Sequence, residues 1–326
     1  MYPKPPVMMI FFDISIFTFT YIKFYYNSIM MNIYDCFQYF DEDNLLDIRL
    51  NVLNQYVKKF VITEATYTHN GTKKNLNFDI NRFKKFKDKI KYIIVDKPPQ
   101  NILKIHNNDP EEKKGQKSIL NGMARDYYQR ENLIRGLDDC RPEDLILISD
   151  LDEIPDLLNF DLSKIKNKIT IFEQKMFYYK LNLLYEGPSW FGTKACKKKD
   201  LISPQWLRNI KARKYPSWRL DLLFSTKKYS DIHIVKNGGW HFSYLKDPKD
   251  LQKKLLNFAH HYEFEKSGLG IKEIEKFMSE RRVVYDHNID QKGYKWSGKS
   301  KLKKVNNNIL PNYIVSNLEK YRNWLD

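Results

Sequence analysis

Four apolar runs, each stopping at or beside an acidic residue, limit the folds open to this chain more than any other feature. Residues 33–40 (IYDCFQYF) lead into Asp41, residues 60–66 (FVITEAT) carry Glu64, residues 91–96 (KYIIVD) end on Asp96, and residues 144–150 (DLILISD) end on Asp150. Short runs of β-branched and aromatic residues suit strands covered on both faces, as in parallel sheets. Between them, residues 45–56 place Leu45, Leu46, Ile48, Leu50, Val52 and Leu53 at helical spacing, and residues 124–137 do so with Leu133, Ile134 and Leu137. Residues 100–118 are polar and read as a surface loop. Beyond residue 168 come aromatic-rich strands, loops bearing Trp190, Trp206, Trp218 and Trp240, and helical patterns over 271–284 and 314–324. Strand and helix in alternation predict an α/β fold with a mostly parallel central sheet flanked by helices. Ligands in such folds bind outside the carboxyl ends of the strands. An acidic rim of Asp41, Glu64, Asp96, Asp150 and Asp152 suits cations or sugar hydroxyls.

The 326 residues are 42% hydrophobic and 15% aromatic, which excludes a disordered chain. Lys and Arg exceed Asp and Glu by 16. Such a surplus fits nucleic acid, a membrane surface or an anionic substrate. The lysines, however, are scattered and accompanied by many Asn, Ile, Tyr and Phe, so part of the charge reflects composition, and no nucleic-acid partner is expected. Cys36, Cys140 and Cys196 are odd in number and far apart, which gives neither a disulfide framework nor a zinc cluster. A reducing, cytoplasmic setting follows. No P-loop, dinucleotide-binding glycine motif, zinc-protease helix or nucleophile elbow is present.

Four segments carry chemistry. In Asp150-Leu151-Asp152 the two carboxylates are two residues apart just past a strand, where both can reach one Mg²⁺ or Mn²⁺; the competing reading is an acidic cap on a helix started by Pro155. In Gly238-Gly239-Trp240-His241, Gly239 allows close backbone approach, Trp240 can stack on a sugar or base, and His241 can join a metal shell or contact phosphate; the alternative is a packed turn and strand. Arg125 and Arg130 are about 140° apart on a helix, and either can reach a diphosphate near Asp150 or belong to a solvated face. Glu64 can accept from sugar hydroxyls or serve as a strand-terminal ion pair.

The ordered set resembles glycosyltransferase family 17, the group of the bisecting β-1,4-mannosyl-glycoprotein 4-β-N-acetylglucosaminyltransferase. It comprises YDCFQYFDEDNLLDIRLNVL (34–53), FVITEATYTHNG (60–71), ARDYYQREN (124–132), DLILISDLDEIP (144–155), GGWHFSY (238–244) and LPNYIVSNLEKY (310–321). The resemblance implies a GT-A-like fold, a UDP-GlcNAc donor, a divalent cation (Mn²⁺ or Mg²⁺), a glycan acceptor and inversion at the anomeric carbon. It makes Asp150 and Asp152 the DxD motif and His241 a further metal ligand, with Glu64, Asp96, Arg125, Arg130, Asp150, Gly239 and Trp240 on the donor. Inverting transfer needs a general base, for which Asp221 and Glu173 are the candidates. A catalytically inactive carbohydrate-binding or structural module on the same fold is the alternative.

Residues 7–22 are apolar but interrupted by Asp13 and shorter than the roughly 20 residues a spanning helix needs. Residues 1–31 are expected to be an extension ahead of a working start at Met30 or Met31, with a signal anchor through 7–22 or a packed element as alternatives. The catalytic domain is expected to span 32–326.

Overall fold

The computed structural model describes residues 31–326 except 162–164, 166, 223, 259–260 and 291–292. The segment 7–22 therefore lies outside the described residues. Its strands are β1 (Ile33–Gln38), β2 (Lys59–Ala65), β3 (Ile90–Val95), β4 (Leu145–Asp150), β5 (Glu153–Pro155), β6 (Ile169–Tyr178), β7 (Leu183–Lys197), β8 (Ile232–Val235), β9 (Gly239–Ser243) and β10 (Lys303–Lys304). The α-helices are α1 (Asp43–Leu53), α2 (Glu111–Glu131), α3 (Pro204–Asn209), α4 (Pro248–Asn257), α5 (His261–Ser267), α6 (Ile271–Ser279) and α7 (Asn312–Val315).

One sheet joins the strands in the order β3-β2-β1-β4-β7-β6-β9-β5, with β10 on β7 and β8 on β6. The first four strands are parallel, as their continuous apolar runs require. The remainder makes the sheet mixed where a mostly parallel one is expected: β7 runs antiparallel to β4 and to β6, and β5 antiparallel to β9, while β6 is parallel to β8 and β9. The physical reason is the short Tyr179–Asn182 connection, which returns the chain as a hairpin where a parallel neighbour would need a long crossover. One further expectation and one competing reading are revised. Residues 111–131 form one helix, so the polar stretch taken for a loop supplies its first turns. Pro155 ends a three-residue strand and starts no helix.

Period-two alternation sends side chains to opposite faces. On β1, Ile33 and Phe37 join a core with α1 and the C-terminal segment, while Tyr34 and Cys36 join a core with Leu133, Trp206 and Leu207. On β4, Leu145 and Leu147 face the first core and Ile146 and Ile148 the second. A third core lies beyond the β6–β7 hairpin, where Met176, Tyr178 and Tyr185 meet Leu251, Leu255, Phe264 and Trp296. Among the described residues no helix is long and apolar enough to cross a membrane.

Candidate functional site

The carboxyl ends of β1, β2 and β4 open into a cavity of about 490 Å³. Gln38 and Tyr39 line it from the end of β1, His69 from beyond β2, Arg130 from α2, Asp150 and Asp152 from the end of β4, and Trp190 and His241 from β7 and β9. The acidic turn after β4 forms part of this wall because a buried arginine holds it. Arg49 of α1 is fully buried and binds Asp35 through two nitrogens, at 2.8 and 2.6 Å. It also donates to Ser149 Oγ and to the backbone carbonyls of Asp150, Leu151 and Glu153.

Asp150 is ringed by cations. Its two oxygens accept from Arg130 at 3.0 Å and Arg208 at 2.8 Å. Burial would raise its carboxyl pKa, but Arg208 and Arg130 outweigh burial and hold it well below the usual range. Arg130 is itself gripped by Asp126 through two nitrogens and by Gln205. Arg208 also bonds both oxygens of buried Glu153 and the Gly192 carbonyl. Glu153 accepts in addition from the Asp150 backbone N–H and from Trp190 Nε1. A Cβ on Gly192 would meet Gln174 Oε1 at 2.1 Å and the Glu153 carboxyl carbon at 2.8 Å, so a larger residue there would displace these side chains.

Asp152 is placed differently. Its carboxylate faces His241 Nε2 at 3.6 Å. Trp190 stacks on the His241 ring, with centroids 4.4 Å apart and planes inclined by 23°. His241 is buried, and its Nδ1 has no hydrogen-bond partner. His69 lies 3.9 Å from Asp126, and burial lowers its pKa despite that carboxylate. Burial likewise pushes His287, on the cavity wall, down to about 4.

Of the residues singled out from sequence, Asp150, Asp152, Arg130 and His241 meet in this cavity. The others take up positions away from its lining. Glu64 is fully buried and accepts from Lys74, Tyr92 and the Asn77 and Phe78 backbone N–H groups, so it fixes the 74–78 segment. Asp96 is exposed beyond β3. Arg125 donates to the His69 carbonyl and lies over Gly71. Trp240 points to the opposite face of β9 from His241 and donates to the Ile309 carbonyl. Gly239 has φ +131° and supports the β5–β9 pairing. Glu173, on β6, accepts from Ser189 Oγ of β7, and Asp221 is exposed and paired with Arg219 and Lys228. Sequence reasoning missed Arg49, Arg208 and Glu153 as parts of the site. The first two carry no local motif, since their partners lie about a hundred and about sixty residues away in the chain.

Whether this site fits a divalent cation can be tested on its donors. Among the described residues no three His, Cys, Asp or Glu side chains form a preformed metal cage. Asp150 already accepts from one arginine on each oxygen, so a metal there would share its remaining lone pairs beside two fixed cations. Asp152 and His241, through the Nε2 that faces it at 3.6 Å, remain a two-donor site, and Mg²⁺ or Mn²⁺ commonly takes one or two protein ligands and fills its shell with substrate phosphates and water. The residues fit a cation that arrives with a phosphate-bearing ligand.

No curated protein matches the chain. The family model described as glycosyltransferase family 17 matches residues 23–326, which include every element of the cavity and part of the segment ahead of β1. The chain belongs to glycosyltransferase family 17.

Proposed function

We propose that this glycosyltransferase is metal-dependent and inverting, and that it moves GlcNAc from UDP-GlcNAc to a glycan hydroxyl in the manner of a β-1,4-mannosyl-glycoprotein 4-β-N-acetylglucosaminyltransferase. The observation that carries the metal dependence is the charge of the cavity wall. Glu42, Asp126, Asp150 and Asp152 line it against Lys254, Arg130 and Arg208, and the arginines are already engaged by carboxylates. A diphosphate entering a wall with surplus carboxylate is repelled unless a cation accompanies it. Asp152 and His241 would hold that cation, which would neutralise charge on the departing diphosphate.

The protein's own groups do the rest. Asp150 keeps Arg130 and Arg208 fixed behind the metal site, so the field at the leaving group is preorganised. Trp190 holds the His241 ring in place. Removal of the acceptor proton falls to a group in the cavity. His69, kept neutral by burial, stands there as an acceptor, whereas His287, pushed down to about 4, is a weak base and Glu173 and Asp221 lie outside the lining.

The test is a UDP-sugar hydrolysis and transfer assay with Mn²⁺ or Mg²⁺, run beside calorimetric binding of UDP with and without the cation. Asp152→Ala should lower turnover at least about a hundredfold and abolish the cation dependence of UDP binding, with an unchanged melting temperature. An Asp152→Ala protein that turns over donor normally would overturn the reading.

A further inference from the structure

Between α3 and β8, residues 211–222 and 224–230 belong to a loop held by its own contacts. Its neck is closed by hydrogen bonds from the Lys211 N–H to the Lys227 carbonyl and from the Tyr215 N–H to the Tyr229 carbonyl. The Tyr215 ring is buried beneath Arg213, Arg219 and Lys228, all within 6 Å of its centre. Asp221 accepts from Arg219 and Lys228 and ties the tip together. This framework turns apolar side chains outward: Trp218 is 79% exposed, Leu220 76% and Phe224 89%. They are the three most exposed large hydrophobic residues among those described. Around them the loop carries Lys211, Arg213, Lys214, Arg219, Lys227 and Lys228 against a single carboxylate, Asp221.

We propose that this loop docks the protein on an anionic lipid surface. Trp218, Leu220 and Phe224 enter the boundary between headgroups and acyl chains, and the surrounding cations face lipid phosphates. Side chains exposed to this degree project from the surface instead of lining a groove, so they suit a yielding phase more than a rigid ligand. A sugar-binding face pairs an aromatic ring with polar groups aimed at hydroxyls, and the loop's one carboxylate is already committed to Arg219 and Lys228. Bulky aromatic and aliphatic residues bordered by Lys and Arg match the interfacial zone of a membrane with negative headgroups. The ordering of the loop by Tyr215 and Asp221 means that little conformational entropy is lost on docking. Asp221 thus has a structural role in the loop.

The experiment is co-sedimentation of the full-length chain with phosphatidylcholine vesicles, with and without phosphatidylserine, at low and high salt. Binding should require phosphatidylserine and weaken with salt. The triple variant W218S/L220S/F224S should bind at least about tenfold more weakly while melting at the parent temperature. Bromine-labelled acyl chains should quench fluorescence of the parent more than that of Trp218→Phe. Absence of binding to either vesicle would overturn the proposal, and so would undiminished binding by the triple variant, which would assign the contact elsewhere in the chain. Loss of transfer to a soluble acceptor by the triple variant, without any loss of vesicle binding, would mark the loop as an acceptor contact and would equally overturn it.

Discussion

At the scale of single residues, Arg49 has the most to lose. A fully buried guanidinium is tolerable only when its charge is paired and its N–H groups are satisfied. Here Asp35 supplies the charge, and three carbonyls and a hydroxyl supply the remaining acceptors. Arg49→Met should therefore destabilise the fold by about 3–5 kcal/mol in urea unfolding, chiefly by stranding Asp35 in the core. Arg49→Lys should not rescue it, because a single ammonium cannot span Asp35 and the turn together. Adding Asp35→Asn to Arg49→Met should recover part of the loss; full additivity of the two single effects would refute the pairing argument.

Lys194 offers a second test at the same scale. It is buried on β7, donates to the Arg208 and Ile210 carbonyls, and so closes the C-terminal end of α3 that presents Arg208 to the site. Burial, with Arg208 nearby, pushes its pKa from the ordinary 10.5 down to about 7. Between those two values the unfolded chain binds a proton that the folded chain releases, so this group's contribution to stability rises with pH across that window and falls away toward pH 7. Melting temperature measured from pH 7 to 9 should climb more steeply in the parent than in Lys194→Met. Identical slopes would contradict the assignment.

At the scale of elements, the β5–β9 pair brings together Asp152 and His241, the two residues proposed to hold the cation. Glu153 pairs with His241 and Pro155 with Gly239, which sets Asp152 beside the histidine. Gly239 takes φ +131°, and a Cβ there would stand 2.2 Å from the Ile154 carbonyl oxygen and 2.9 Å from Pro155 Cα. Backbone atoms cannot step aside as a side chain can. Gly239→Ala should cost at least about 2 kcal/mol and weaken cation-dependent UDP binding, because the strand must move away from β5. A variant with parental stability would show that the turn relaxes. The runs of β1 to β4 are legible because they are continuously apolar and each carries or borders an acidic group. The sequence hid β5, since Asp152-Glu153-Ile154-Pro155 reads equally well as a helix start and only the distant β9 decides. It also hid the first half of α2, where Gly115 packs against Tyr262 and the intervening positions are charged, so no apolar stripe marks the helix. The pairing of Asp150 with Arg208 was illegible for the same reason: contacts across the fold leave no local spacing.

For the molecule as a whole, the C-terminal segment is part of the first core. Leu310, Ile314 and Tyr321 are buried against α1 and its neighbours. The Tyr321 hydroxyl donates to Asp47 at 2.5 Å, and the Leu181 N–H donates to the Trp324 carbonyl. Trp240 ties this segment to β9 through the Ile309 carbonyl, so the strand that carries His241 on one face is anchored by the chain terminus on the other. Burying three such side chains stabilises the fold by about 5–8 kcal/mol, which is comparable with the whole stability of an ordinary domain. Deleting residues 307–326 should thus yield a protein without a cooperative thermal transition, although not one of its cavity-lining residues has been removed. Ile314→Ala provides the graded version, with an expected loss of about 2–5 kcal/mol and retained donor turnover below its lowered melting temperature. A truncated protein that melts cooperatively near the parent temperature would show that the sheet and α1 close their core without the terminus.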